Sequence, residues 1–191
     1  MKNLTFSLYS LPNTVFTTNE ISLILRESDS DRVKSRINYY VKKGVLVQLR
    51  RGIFAKNTGF EILEAANKIF TPSYISLETV LQRSGVTFQD YSRTIFVVSY
   101  QTREIRVKDY VIDFKKIKDE ILMNLAGITT ENGYAMATTE RAFLDAVYLY
   151  KDYHFDNLDA IDWEKAKDLL DVYKNKALER RFKRYVKYHR S

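Results

Sequence analysis

Val33, Ile37, Tyr40 and Val41 recur at zero, four, seven and eight, with polar or charged residues at most positions between. That is the pattern of a helix of about 3.6 residues per turn that buries one face. It predicts a helix over "RVKSRINYYVKKG" (32–44), closed by Gly44 in the left-handed conformation glycine adopts freely. Just upstream, Ile21, Ile24 and Leu25 share a face of "TTNEISLILRES", with Leu23 at its margin, which predicts a helix near 18–27. Thr17 followed by Glu20 is a capping-box pattern, and "SDSD" (28–31) is a turn with Ser28 or Ser30 as cap of the second helix. Beyond Gly44 the pattern changes to strands. Val45–Leu49 leads into an Arg50-Arg51-Gly52 turn, and Ile53–Ala55 returns. Leu8, Leu11, Val15 and Phe16, around "YSLPNTVF", supply apolar groups to pack beneath the two helices, while Pro12 argues against a long helix there.

The rest of the chain mixes both periods. "GFEILEAANKIF" (59–70) has helical spacing in Ile62, Leu63, Ala66, Ile69 and Phe70 and reads as a bridge between domains. In "PSYISLETVLQRSGV" (72–86), Tyr74-Ile75 reads as extended, Ser76 as a helix cap and Gly85 as the stop. The strongest strand signal is "RTIFVVSYQTREIRVKDYVIDFKKI" (93–117), in Thr94–Tyr100, Glu104–Val107 and Tyr110–Phe114. Asn132-Gly133 predicts a hairpin turn between strands near 128–130 and 134–137. "TTERAFLDAVYLY" (138–150) reads as a capped, buried helix in which Arg141 meets Asp145 one turn on. One or two helices with a basic end follow. The expected fold is α+β: a winged helix-turn-helix over 1–58, then a mixed α/β domain over 59–191 with a basic helical tail at 174–191.

Charge sharpens this division. The net charge is +7, but residues 1–58 hold ten Lys/Arg against four Asp/Glu, while 59–150 hold ten against twelve. From Lys174 onward eight bases face Glu179 alone. Two basic ends around a near-neutral middle point to a polyanionic partner. The absence of cysteine excludes disulfides and thiolate metal sites. The start of the chain lacks a secretory pattern and no stretch is apolar for long enough to span a bilayer, so a cytoplasmic protein with no membrane association is expected.

On the helix over 32–44, the arc opposite the apolar seam carries Asp31, Ser35, Asn38 and Lys42. Arg32 and Tyr39 flank it, and Lys34 and Arg36 lie nearer the buried edge. Long cations reach phosphates and short polar groups approach base edges, so this face suits a major groove. The hairpin behind it offers Arg50 and Arg51 as a second cationic contact. The expected DNA-binding set is Arg32, Ser35, Arg36, Asn38, Tyr39, Lys42, Lys43, Arg50 and Arg51.

Catalytic chemistry finds little support. His154 and His189 are the only histidines, and neither has a partner at ligand spacing. No phosphate-binding glycine loop and no nucleophile elbow occurs. Glu140 reads as a first-turn residue favoured by the helix dipole, and Asp109 with Asp113 as a solvated strand face. The expectation is a protein without catalytic residues, metal or cofactor. A nuclease that docks through the winged helix would need a carboxylate cluster the sequence does not supply.

Three stretches in order, "FTTNEI…VKSRINYYVKKGVLVQLRRGIFA", "PSYISLETVLQRSGV" and "YAMATTERAFLDAVYLY", resemble the AbiEi family of bacterial antitoxins. That family carries a winged helix ending in a "G-L-L-x-R-x-x-R-G-x-Y"-like hairpin, and later an "A-x-P-E-[RK]-A-[LF]-L-D" helix. Here Phe54 stands where Tyr is usual, Val80 where Ala is common, and Thr139 where Pro precedes Glu-Arg-Ala. The resemblance implies a transcriptional repressor of a type IV toxin–antitoxin operon. It would bind inverted repeats upstream of its own operon and counter a nucleotidyltransferase-like toxin. The toxin's Gly-Ser pair is missing from this chain, so the resemblance implies the antitoxin. The alternative is a DNA-binding adaptor whose C-terminal domain binds another protein, with no toxin partner.

Overall fold

The structure, a computed structural model, describes residues 4–189. Arg190 and Ser191, the end of the expected basic tail, lie outside the described residues. The fold is α+β, and the chain divides into two compact units. One comprises Met1–Phe70 with Asn132–Tyr134, the other Thr71–Glu131 with Ala135–Ser191.

In the first unit the described elements run α1 (Leu4–Tyr9), β1 (Val15–Thr17), α2 (Thr18–Leu25), α3 (Ser30–Lys42), β2 (Val47–Arg50), β3 (Ile53–Ala55) and α4 (Ile62–Ile69). The apolar positions picked out by periodicity meet in one core: Leu4, Leu8, Phe16, Ile21, Val33, Ile37, Leu46 and Phe54, with Leu11, Ile24, Leu25, Tyr40 and Val41 packed against them. α1 stops before Pro12, and the segment after it becomes a strand the sequence did not announce. β1 pairs antiparallel with β3, Phe16 opposite Phe54, to give the sheet order β1-β3-β2.

Local chemistry sets the helix ends. Thr17 and Glu20 form the full capping box, side chain to backbone in both directions. The cap of α3 is Asp29, whose carboxylate accepts from Asp31 N (2.9 Å) and Arg32 N (3.0 Å); neither Ser28 nor Ser30 caps it. A carboxylate also answers the positive end of the helix dipole, which a serine hydroxyl does not. Gly44 closes the helix at φ +71°, as its position predicts.

The helix expected to bridge domains packs within the first unit, and the division falls at Phe70/Thr71 instead of 58/59. The physical reason is Glu64. Its side chain is 1% exposed and accepts from Asn13 Nδ2, Thr14 N, Thr14 Oγ1 and Val15 N at 2.8–3.2 Å. Lys68 Nζ lies 3.1 Å from the Glu64 carboxylate and donates to Val15 O and Glu20 Oε1 at 2.7 and 2.8 Å. α4 is thereby tied to β1 and to the start of α2.

The second unit contains β4 (Ser73–Ile75), α5 (Glu78–Arg83), β5 (Thr94–Ser99), β6 (Arg103–Val107), β7 (Tyr110–Lys116), α6 (Asp119–Leu122), β8 (Ile128–Glu131) and β9 (Tyr134–Ala137, beginning on the residue assigned to the first unit). α7 (Thr139–Leu149), α8 (Trp163–Asp168), a single 3₁₀ turn (Leu169–Val172) and α9 (Lys176–His189) complete it. Its sheet order is β6-β7-β5-β4-β9-β8. β5 and β7 run parallel from Thr94↔Val111 to Ser99↔Lys116, with β6 antiparallel on the outer edge of β7. Asn132 and Gly133 both have positive φ, as the predicted two-residue hairpin turn demands.

α7 is buried along most of its length, and its Arg141 and Asp145 are both 0% exposed. Arg141 Nε donates to Asp145 Oδ1 (3.4 Å), Nη2 to Tyr74 Oη and Ile121 O, and Nη1 to Ala126 O and Asn124 O. Asp145 also accepts from Ser76 Oγ (2.8 Å) and Tyr173 Oη (2.7 Å). Ser76 is therefore not the cap of α5. That position falls to Leu77, at φ +55°, with no side-chain bond.

Candidate nucleic-acid interface

α3 turns its polar arc to solvent because Val33 and Ile37 are held in the core beneath it. Arg32, Ser35, Asn38, Tyr39, Lys42 and Lys43 are exposed; Arg36 is half-buried, on the side expected of it. Lys34 departs from expectation. It is exposed, with Nζ 3.1 Å from Asp31 Oδ1, because its long stem carries the ammonium away from the seam. Arg32 Nε lies 3.9 Å from Asp29 Oδ2. Both pairs are mostly solvated, so they hold their cations weakly and leave them available to a phosphate. Tyr39 is 56% exposed, packs edge-on to Tyr40, and has Lys43 Nζ 5.8 Å from its ring centroid.

The hairpin behind α3 is shorter and starts later than expected. β2 begins at Val47 and includes Arg50, and a register shift between Gln48 and Arg50 bends the strand at Leu49. Arg50 is consequently the last strand residue, opposite Ile53 and half-buried, and not part of the turn. The turn is Arg51-Gly52, with Arg51 exposed and Gly52 at φ +83°. Thr18 N donates to Gly52 O (3.0 Å), which ties the tip to the first residue of α2. The tip is a fixed point of the unit, carrying one outward arginine.

Two residues that sequence reasoning left out join this surface. Lys34 is exposed although its helical position lies nearer the buried edge, and Gln48 is exposed on β2. Alternation around the bulge carried the signal for Gln48.

Among the described residues no group of three or more His, Asp or Glu side chains is arranged to hold a metal ion. No described helix is long and apolar enough to cross a membrane. No known family model matches the chain, and no curated protein is significantly similar to it.

Proposed function

We propose that the first unit is a winged helix-turn-helix and that the protein is a cytoplasmic, DNA-binding transcriptional repressor. The observation that carries this reading is the face of α3. Its cations alternate with short hydrogen-bonding groups, Ser35 and Asn38, beside a hairpin whose tip presents Arg51. The element order α1-β1-α2-α3-β2-β3 supports it. α3 enters the major groove, Arg32, Lys34, Lys42 and Lys43 meet phosphates, and the hairpin rests on the neighbouring backbone. In its finer form the proposal is an autorepressor. It binds inverted repeats upstream of its own operon and serves as antitoxin to a nucleotidyltransferase-like toxin.

A mobility-shift assay on that upstream region tests the proposal. Asn38→Ala costs roughly 1–3 kcal/mol on the cognate site and relaxes preference at one base position. Arg50→Ala with Arg51→Ala weakens binding to all sequences alike and makes its salt dependence shallower. Equal binding by the parent and the double arginine variant removes the hairpin from the interface.

A second reading, an adaptor without a toxin, draws on one feature of the second unit. Arg141 holds the carbonyls of Ile121, Asn124 and Ala126, and the loop so fixed presents Met123 (65% exposed) and Leu125 (75% exposed) to solvent. A rigid pair of exposed apolar side chains suits a protein partner. Co-purification with the product of a neighbouring nucleotidyltransferase gene favours the antitoxin; the absence of such a gene favours the adaptor.

A further inference from the structure

The second unit carries a different arrangement of charge and aromatic rings along α9. Phe182 and Leu178 anchor that helix in the core, and Arg181 Nη1 donates to Val147 O (2.5 Å). Arg180, Lys183, Arg184 and Lys187 are all exposed and spaced along one side of the helix, with the exposed acid Glu179 at its margin in the first turn. Beside this stripe, α9 and the loop before α8 enclose a cleft of about 320 Å³. That is within the range of roughly 300–1,000 Å³ that accommodates small ligands.

The floor of the cleft is aromatic, with three rings packed on one another. Phe155 lies 4.7 Å from the Tyr153 ring and 5.2 Å from that of Tyr185, and Tyr185 Oη donates to Tyr153 O (2.5 Å). Tyr188, 71% exposed, also lines the cleft, as do Arg184, Asp152 and His154. Among the described residues the acid that lines the cleft is Asp152, 3.3 Å from Arg184 Nη2; both side chains are more than half exposed, so the pair opens readily.

We infer that this cleft is a site for single-stranded RNA, with an unpaired base stacked on the aromatic lining at Tyr188 and the phosphates following the cationic face of α9. Cations tracking a backbone beside rings that accept bases of any sequence are the two requirements for binding an unpaired strand. A duplex hides its base faces from such rings. The exposed stripe also contains no short Ser or Asn to read base edges in a groove, unlike α3. The lining offers Asp152 as an acceptor and His154, whose Nε2 lies 3.7 Å from Asp156 Oδ1, as a ring nitrogen; a ribose 2′-hydroxyl, which both donates and accepts, can use such groups, and a deoxyribose has no hydroxyl there.

Fluorescence polarisation of the full chain with labelled oligouridylate, oligodeoxyuridylate and a mixed-sequence duplex tests the assignment. The expected order on the single strands is oligouridylate tighter than oligodeoxyuridylate, which differs from it only in lacking the 2′-hydroxyl. Tyr188→Ala weakens oligouridylate binding roughly tenfold, Tyr188→Phe keeps it, and duplex binding is unchanged in both. Arg180→Ala with Lys183→Ala makes the salt dependence of strand binding shallower. Tyr188 is on the surface, so its loss does not threaten folding. No strand binding by the parent, full binding by Tyr188→Ala, or parallel losses on strand and duplex overturn the site. Equal affinity for both single strands overturns the assignment to RNA.

Discussion

In the first unit the cations of α3, Arg36 excepted, stand in water, some in pairs such as Lys34–Asp31 whose side chains are 65% and 91% exposed. In the second unit Arg141 and Asp145 pair with no exposure at all. An exposed pair contributes about 0–1 kcal/mol and dissolves in salt, whereas a buried one costs several kcal/mol in desolvation and stands only if every polar atom is met. Arg141 meets that condition through Asp145, Tyr74 and three backbone carbonyls. The same residue types therefore do opposite work. Charge in the second unit fixes a loop and a helix against a sheet, and most of the charge on α3 stays in solvent.

The comparison breaks most visibly at Asp145. Asp145→Ala strands a buried guanidinium, takes the acceptor from Ser76 Oγ, and leaves Tyr173 Oη with the longer contact to Arg141 O (3.3 Å), a loss of about 3–5 kcal/mol in urea unfolding. Replacing both partners, Arg141→Met with Asp145→Leu, does not restore stability, because the carbonyls of Ile121, Asn124 and Ala126 lose their donor. Recovery of full stability by the double variant would show that the pair matters only to itself.

Glu64 is the intermediate case, a buried carboxylate whose partner Lys68 is 12% exposed. Glu64→Gln keeps the shape and turns one acceptor oxygen into a donor facing Thr14, Val15 or Lys68. The expected loss is about 1–3 kcal/mol by urea unfolding. Unchanged stability would mean that α4 is held by its apolar face alone.

Glu78 gives a weaker effect with a pH signature. It is buried, its Oε2 has no hydrogen-bond partner, and burial raises its carboxyl above the usual range despite Lys115, Tyr150 and Tyr153 nearby. An acid whose folded pKa lies above its unfolded one favours the folded state most at low pH. That contribution is full below the unfolded pKa and is lost as pH rises through the folded pKa. Glu78→Gln removes the dependence, so the variant gains stability relative to the parent as pH rises across that window. A difference that stays flat with pH means that burial does not penalise the ionised form.

Period and capping chemistry made the first unit legible. Val33, Ile37 and Gly44 located α3, and Thr17 with Glu20 located the start of α2. β1 was not legible, because three residues set no period and its pairing with β3 is made across a long stretch of chain. Arg141 and Asp145 announced their contact through their spacing but not its burial. Burial depends on Tyr74, Ser76 and Tyr173, which reach the pair from distant parts of the chain. On the candidate interface, the exposed face of α3 followed from the helical period. The half-burial of Arg50 did not, because the bulge at Leu49 shifts the register by one residue.

The smallest effect on stability falls where the proposed function is concentrated. Arg32 and Lys34 make only solvated contacts, to Asp29 and Asp31, so replacing both by Ala changes unfolding free energy by less than about 1 kcal/mol. If α3 binds DNA as proposed, the same pair matters more there. Each cation that neutralises a phosphate releases counterions, and its loss makes the plot of log affinity against log salt shallower by about 0.9. The double variant is expected to melt with the parent, bind every sequence more weakly, and lose nearly two from that slope. A parental slope with weakened binding would move these residues from the phosphates to the bases, and a parental slope with parental affinity would take this end of α3 off the duplex.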